Sequence, residues 1–243
     1  MRNRVIIGDV HGHYDALMHL LTVASVKDDQ LFFLGDLIDR GPQSKQVVDF
    51  VKDGEHVCLR GNHEAMVLGA LLNDDKSTLN WYRNGATETL QSFGGVKNGL
   101  DVLTGYLAWL QALPLYLDLG DLLLVHAGLL PGINLEENTA EECCWIREEF
   151  LSSPNPPFLG EKTLLVGHTI TFLLDAADGG KVPVGNLAQG PNWYDLETGA
   201  YHSKSGWLTA LNWDTEQVYQ VNVHSQETRV RRLSDSATRV KVG

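Results

Sequence analysis

The sequence predicts an α/β fold built on a parallel βαβαβ core, and three patterns predict it. Between Val5 and Leu72, a short apolar run, a polar loop containing glycine and a helical segment succeed one another three times, the rhythm of linked βαβ units. Each time the polar residues fall where a strand ends, which is where α/β sheets place ligands. From Val184 onward, short apolar runs separated by turn residues replace the helices, which predicts antiparallel pairing late in the chain.

Val5-Ile6-Ile7 gives the first strand and runs into Gly8-Asp9-Val10-His11-Gly12-His13. Tyr14 to Val23 places Ala16, Leu17, Leu20 and Leu21 at helical spacing. The second strand, Leu31 to Leu34, is apolar and partly aromatic, and ends in Gly35-Asp36-Leu37-Ile38-Asp39-Arg40-Gly41. Pro42 breaks the chain before a helix over Ser44 to Val51, with Ser44 as its candidate cap. Val57 to Leu59 gives the third strand, followed by Arg60-Gly61-Asn62-His63-Glu64 and a helix over Ala65 to Leu72. From Asn73 to Gly99 only a short helix near Thr87 to Ser92 is legible, after the polar and aromatic run Asn80-Trp81-Tyr82-Arg83-Asn84-Gly85.

Val102 to Leu113 predicts a helix stopped by Pro114. Leu122 to Val125 is a strongly apolar strand that leads to His126-Ala127-Gly128. Thr139 to Leu151 predicts a helix containing Arg147, with a Pro-rich loop over Ser152 to Pro157 behind it. Leu164 to Val166 leads to Gly167-His168-Thr169. Short strands are expected over Val184 to Leu187, Trp193 to Leu196, Leu208 to Trp213 and Val218 to Val223, and the polar tail from Ser234 to Gly243 is expected to fray. No repeat, linker or low-complexity tract interrupts the 243 residues, so residues 1–243 are expected to form one domain.

The formal charge of −12 repels nucleic-acid backbones, which excludes broad nucleic-acid binding and requires a local positive site for any anionic substrate. The three cysteines are odd in number and two are adjacent, which fits a reducing compartment rather than a disulfide framework. The apolar run after Met1 is too short for a signal peptide, and no apolar stretch approaches a membrane span. A cytoplasmic protein without membrane or nucleic-acid partners is expected.

Five strand ends carry candidate ligands: Asp9 with His11, then Asp36, Asn62, His126 and His168. All offer oxygen or nitrogen and none a thiolate, a mixture that suits Mn, Fe or Zn better than Mg or Ca. Asp36, Asp39 and Arg40 beside a buried strand are costly unless paired, and a metal ion with a bound phosphate would pair all three. With Asp36 bridging two divalent ions, the centre keeps a net positive charge even with a shared hydroxide, so it draws a phosphate into an otherwise acidic protein. One such histidine alone is most simply a structural residue. It is the coincidence at five strand ends that points to a metal centre.

Gly8-Asp9-Val10-His11-Gly12, Gly35-Asp36-Leu37-Ile38-Asp39-Arg40-Gly41 and Arg60-Gly61-Asn62-His63-Glu64 resemble the three signature blocks of the phosphoprotein phosphatase family of calcineurin-like metallophosphoesterases. His126-Ala127-Gly128 and Gly167-His168-Thr169 are similar to its two later histidine blocks, so the resemblance spans about residues 5 to 212. It implies a β-sandwich of mixed sheets flanked by helices, with metals at one edge. Carried over by motif, Asp9, His11 and Asp36 hold one divalent ion, and Asp36, Asn62, His126 and His168 the other, Mn²⁺ foremost with Fe or Zn as alternatives. His63 becomes the general acid, kept in place by Asp39, while Arg40, Arg147 and Arg60 grip phosphate oxygens. The compact microbial members include serine/threonine protein phosphatases and symmetrical diadenosine tetraphosphate hydrolases. The expected activity is phosphoserine/phosphothreonine hydrolysis on a phosphorylated protein, with a dinucleoside polyphosphate as the alternative substrate.

Two further readings carry less. The Asp39-Arg40-Gly41 block and the negative charge argue against a nuclease, and the full ligand set argues against a catalytically inactive binding module. One stretch departs from the family. Where relatives often carry Asp-Thr-Gly followed shortly by a glycine pair, this chain has Glu197-Thr198-Gly199 and a loop to Trp207. That loop is expected near the mouth of the site, with His202 exposed on it. His13 and Glu64 fit roles that orient the signature residues.

Overall fold

The computed structural model describes residues 3–26, 30–153 and 160–242. Most of the Pro-rich stretch expected after Ser152 lies outside the described residues. The chain opens with β1 (Arg4–Ile7), α1 (Tyr14–Val23), β2 (Gln30–Phe33), α2 (Ser44–Asp53), β3 (Val57–Cys58) and α3 (Asn62–Leu71). Four helices follow, α4 (Asp75–Asn84), α5 (Ala86–Ser92), α6 (Gly99–Thr104) and α7 (Leu107–Ala112). Then come β4 (Tyr116–Asp118), β5 (Leu122–Val125), α8 (Ala140–Trp145), α9 (Glu148–Leu151) and β6 (Thr163–Val166). The late strands are β7 (Leu187–Gln189), β8 (Trp193–Asp195), β9 (Trp207–Asn212), β10 (Gln217–Asn222), β11 (Thr228–Arg232) and β12 (Ala237–Arg239).

The strands form two six-stranded mixed sheets, ordered β11-β10-β9-β1-β2-β3 and β12-β7-β8-β6-β5-β4. β1, β2 and β3 are parallel, as are β5, β6 and β8, while β9, β10 and β11 pair antiparallel. Side-chain alternation explains why both faces of each sheet are apolar. Ile6, Phe32 and Leu211 of the first sheet meet Leu122, Leu124 and Leu165 of the second in the seam between them. Val5, Ile7, Leu31 and Phe33 point the other way, against α1, α2 and α3. Leu123, Val125, Leu164 and Val166 pack with Cys143 of α8 and Phe150 of α9. The sheets thus stack as a sandwich with helices outside, and the carboxyl ends of the parallel strands lie along one edge. Cys58, Cys143 and Cys144 are free and buried. Among the described residues, no helix is long and apolar enough to cross a membrane.

Several local expectations change. Gln43, not Ser44, takes the cap position of α2, and the Ser44 hydroxyl turns inward to accept from the Asp39 N–H at 3.1 Å. The helix expected over 102–113 begins earlier and divides into α6 and α7 around Gly105 and Tyr106. The helix expected over 139–151 breaks at Ile146-Arg147, where the chain turns and frees Arg147 for the site. Of 184–187 only Leu187 is in a strand, because Pro183 to Asn186 close a turn with a 2.9 Å hydrogen bond. The tail is also ordered over the described residues. β12 pairs parallel with β7, and Leu233, Ser236 and Val240 are buried.

Candidate metal centre

The polar loops after β1, β2 and β3 meet those after β5 and β6 at the sandwich edge. The first two loops are tied together directly, since the N–H groups of Val10 and His11 both donate to the Asp36 carbonyl at 3.1 and 2.9 Å. The second sheet joins through the His168 N–H, which donates to Asp9 Oδ2 at 3.0 Å, and through His126 Nδ1, 2.9 Å from the Leu34 carbonyl. Two glycines make room for the carboxylates. A Cβ on Gly61 would lie 2.2 Å from Asp36 Oδ1, and one on Gly167 would lie 2.2 Å from Asp9 Oδ1. His11, Asp36, Asp39, Arg40 and His168 all adopt left-handed backbone, with φ of 46°, 49°, 69°, 68° and 71°. Such conformations cost roughly 1–3 kcal/mol each and persist only where packing over-determines them.

Asp36 sits at the middle. Its Oδ2 lies 3.8 Å from His11 Nε2 and 3.9 Å from His63 Nε2, and its Oδ1 lies 3.5 Å from His126 Nε2. Asn62 Oδ1 is 3.1 Å from His126 Nε2 and 2.9 Å from His168 Nδ1. The outer nitrogens of His11 and His126 donate to the carbonyls of Ile38 and Leu34, both at 2.9 Å, which leaves each Nε2 lone pair aimed inward. Asp9 Oδ1 is buried with no hydrogen-bond partner among the described residues. A buried acceptor of that kind calls for a cation, as do the two clusters His11-Asp36-His63 and Asp36-His126-His168, whose ligand atoms lie within 4.8 Å of one another. The residues present therefore fit divalent metal.

The charge balance says the same. Asp9, Asp36, Asp39, Glu64, Asp195 and Glu197 are all buried. Burial first, then the charge of Asp36, pushes Glu197 up to about 8 and Glu64 up to about 7. Burial, then Glu197 and Asp36, holds Asp9 well above the usual carboxylate range. Asp36 is opposite. Burial alone would raise it, but the surrounding imidazoles, led by His126, hold it well below its ordinary value. Burial and His63 bring His11 down to about 3, and burial also lowers His126 and His168. These rings are neutral near pH 7, the form that binds metal. His63 differs: burial lowers it, but the charge of Asp36 and the bond to Asp39 outweigh that and raise it.

Asp39 fixes that ring. Its Oδ2 is 2.5 Å from His63 Nδ1, and the same carboxylate accepts from the Trp81 indole at 2.9 Å and the Thr89 hydroxyl at 2.5 Å. Glu64 fixes the loop instead, accepting from the N–H groups of Asp36, Leu37 and Gly61 at 2.8, 2.9 and 3.0 Å. Arg40 Nη2 donates to Asn84 Oδ1 at 2.8 Å, and its guanidinium lies over the Tyr201 ring, 5.1 Å from the centroid. Tyr201 in turn meets His11 edge-on at 4.7 Å, which places the 197–207 loop against the centre. Arg147 Nη1 donates to the His168 carbonyl at 3.1 Å and to Thr169 Oγ1 at 2.9 Å.

Arg60 goes elsewhere, donating to the carbonyls of Gln111 and Leu113 at 2.8 and 3.2 Å. His202 is half-buried against Phe172 rather than exposed. His13 starts α1 without a side-chain cap bond, and burial brings it down to about 4. Trp81, Asn84, Thr89, Asp195 and Tyr201 join the site without having been expected there. The run Asn80 to Gly85, with aromatics among polar residues, was a visible signal for the first two, but nothing in the sequence ties an indole to Asp39.

The ends of the strands of this sandwich bring buried aspartate, asparagine and histidine groups together in an arrangement that could hold divalent metal. The family description "Calcineurin-like phosphoesterase" matches residues 3–178, and the chain belongs to that family. A symmetrical bis(5'-nucleosyl)-tetraphosphatase from Klebsiella pneumoniae (strain 342) is 35% identical over 160 residues, covering 63% of this chain and 52% of that protein. The chain thus spans about half the length of the curated relatives it matches. A solved structure provisionally given as a diadenosine tetraphosphatase superposes with a TM-score of 0.62 at 22% identity, covering 95% of this chain and 93% of that one. A serine/threonine protein phosphatase from Saccharomyces cerevisiae superposes with a TM-score of 0.58 at 16% identity, covering 95% and 79%. At these identities the two structures support the fold alone.

Proposed function

We propose that this metallophosphoesterase hydrolyses dinucleoside tetraphosphates symmetrically, releasing two nucleoside diphosphates. The sequence reading puts a phosphorylated protein first, with the dinucleotide as the alternative. That reading gives way because the relatives found by sequence are named for the dinucleotide reaction. The observation that carries the chemistry is Asp36, whose two oxygens face different imidazole groups, His11 and His63 on one side and His126 on the other.

In this reading Asp9, His11 and Asp36 hold one divalent ion, and Asp36, Asn62, His126 and His168 hold a second. Mn²⁺ suits this donor set, with Fe and Zn as alternatives. When bound, the ions supply positive charge for phosphate oxygens and an activated water for attack on phosphorus. His63 stays outside the ligand set even though Nε2 is near enough, because the charge of Asp36 and the bond to Asp39 raise the ring and favour the imidazolium, which carries a transferable proton at Nε2. Arg40 and Arg147 bind the phosphoryl oxygens, Arg40 held between Asn84 and Tyr201 and Arg147 anchored on Thr169. His63, as the imidazolium, then donates its Nε2 proton to the departing oxygen, and Asp39 holds Nδ1–H, orients the ring and stabilises the charged form. Both sheets contribute to this site, which supports reading the chain as one domain. The free cysteines support a cytoplasmic setting.

The test is incubation with Mn²⁺ and diadenosine tetraphosphate, with products separated by chromatography. ADP as the only nucleotide product is expected. Equal amounts of ATP and AMP, or no turnover beside rapid hydrolysis of phosphoserine peptides, would remove the proposal.

A further inference from the structure

A cleft of about 520 Å³ lies between α3, α4 and α8, with Met66, Lys76, Asn80, Arg83 and Trp145 among its walls. Its volume falls within the range of small-molecule sites, about 300–1,000 Å³. Three links join it to the metal centre. Met66 lies one helical turn beyond His63 on α3. The Trp145 ring meets His168 edge-on at 6.4 Å. Asn80 accepts from the Asn84 side-chain amide at 2.9 Å through its carbonyl, and Asn84 accepts from Arg40 at 2.8 Å.

Lys76, Asn80 and Arg83 are spaced to form one stripe along α4. Lys76 and Arg83 are exposed, and Lys76 lies close enough to the Asp74 carboxyl to help lower it. Two exposed cations at one cleft stand out in a chain of net charge −12. Asp74, the cap of α4, and Glu141 of α8 line the same cleft, so an anion there would depend on Lys76 and Arg83.

We propose that this cleft is the subsite for the leaving nucleoside diphosphate. Lys76 and Arg83 take its phosphates, and the Trp145 indole stacks on its base. His63 precedes Met66 of the cleft wall by one turn of α3, so the proposed proton donor and the cleft share that helix. The proposal rests on the dinucleotide reading above and names the part of the site that would distinguish a nucleotide from a simple phosphate ester.

The experiment measures inhibition of p-nitrophenyl phosphate turnover by ADP and, separately, by inorganic phosphate. It compares the metal-loaded full chain with Lys76→Ala/Arg83→Ala and with Arg83→Glu. Both positions are exposed, so thermal melts are expected to overlay. ADP is expected to inhibit the unmodified protein more strongly than phosphate does, and its inhibition constant is expected to rise about tenfold in the double variant, further for the reversal, while that of phosphate moves less than about twofold. The proposal is overturned if ADP inhibits no better than phosphate, if both constants shift alike, or if the variants lose only turnover of an acidic phosphopeptide. Should diadenosine tetraphosphate not be cleaved while ADP inhibition still depends on Lys76 and Arg83, the subsite stands and the dinucleotide reading falls.

Discussion

Replacing His63 with Asn separates proton donation from the rest of the site. The side chain is buried, its Nδ1 is 2.5 Å from Asp39, and its Nε2 faces Asp36. Asn occupies part of the same space and can still donate to Asp39, but it cannot give up a proton near neutral pH. A general acid contributes about 10²–10⁴-fold, which at about 1.4 kcal/mol per tenfold is about 3–5 kcal/mol of barrier. That benefit falls wherever the leaving oxygen is already a stable anion. The variant is therefore expected to lose roughly 10²–10⁴-fold in kcat on an alkyl phosphate but less than about tenfold on p-nitrophenyl phosphate. Steady-state kinetics on both esters, with metal content measured in each preparation, gives the comparison. Equal losses on the two esters at equal metal occupancy would refute the general-acid role and leave His63 as a ligand or a structural group.

Three other outcomes follow from the same geometry. Glu64→Gln leaves one acceptor oxygen for three buried N–H groups, so chemical denaturation at pH 8, above the pKa of about 7, is expected to show a loss of about 2–4 kcal/mol. Gly61→Ala puts a methyl group 2.2 Å from Asp36 Oδ1, so the carboxylate must shift, and calorimetry is expected to show Mn²⁺ binding weakened by about 10–100-fold; unchanged affinity would mean that Asp36 does not hold metal. The third concerns pH in the metal-free protein. Glu197 is raised from 4.5 to about 8, so the native state holds a proton that the unfolded chain releases, and stability is lost as pH rises through that window. His11 and His13, lowered to about 3 and 4, work in the opposite sense, but their window closes at 6.5. Melting temperature in chelator is expected to fall between pH 6.5 and 8, and Mn²⁺ added at pH 8 is expected to restore it.

What the sequence disclosed depended on how local each feature is. The helix over Tyr14–Val23 has both ends where its apolar spacing puts them, because that spacing faces one sheet throughout. β5 and β6 were equally legible as short runs with both faces buried. β11 was not, since its Thr-Arg-Val-Arg-Arg sequence belongs to an edge strand that needs little apolar surface. α4 was hidden because its polar face dominates, and only Trp81 is buried. In the site, the blocks around Asp9, Asp36 and Asn62 announced themselves through residue type and position after strands. Tyr201, Thr89 and Trp81 act over long sequence separations, and no local pattern marks a side chain that reaches across the fold to hold Arg40 or Asp39. The break in the helix at Arg147 was hidden for a related reason: the guanidinium's partners, His168 and Thr169, lie on another strand's loop.

The placement of the centre along the seam has a mechanical consequence. Asp9, His11, Asp36 and Asn62 belong to one sheet, and His126 and His168 to the other, so any ion shared among them works as a rivet through both layers. The protein's own groups clasp that edge through the Leu34 carbonyl to His126, the His168 N–H to Asp9, and Asn62 Oδ1 to His126 and His168. Stripping the ions would therefore let the layers breathe at this rim first, with amide protons beside it exchanging with solvent sooner than those deep in the Ile6–Leu165 packing. The catalytic cofactor and the clamp that keeps the sandwich closed would then be one and the same.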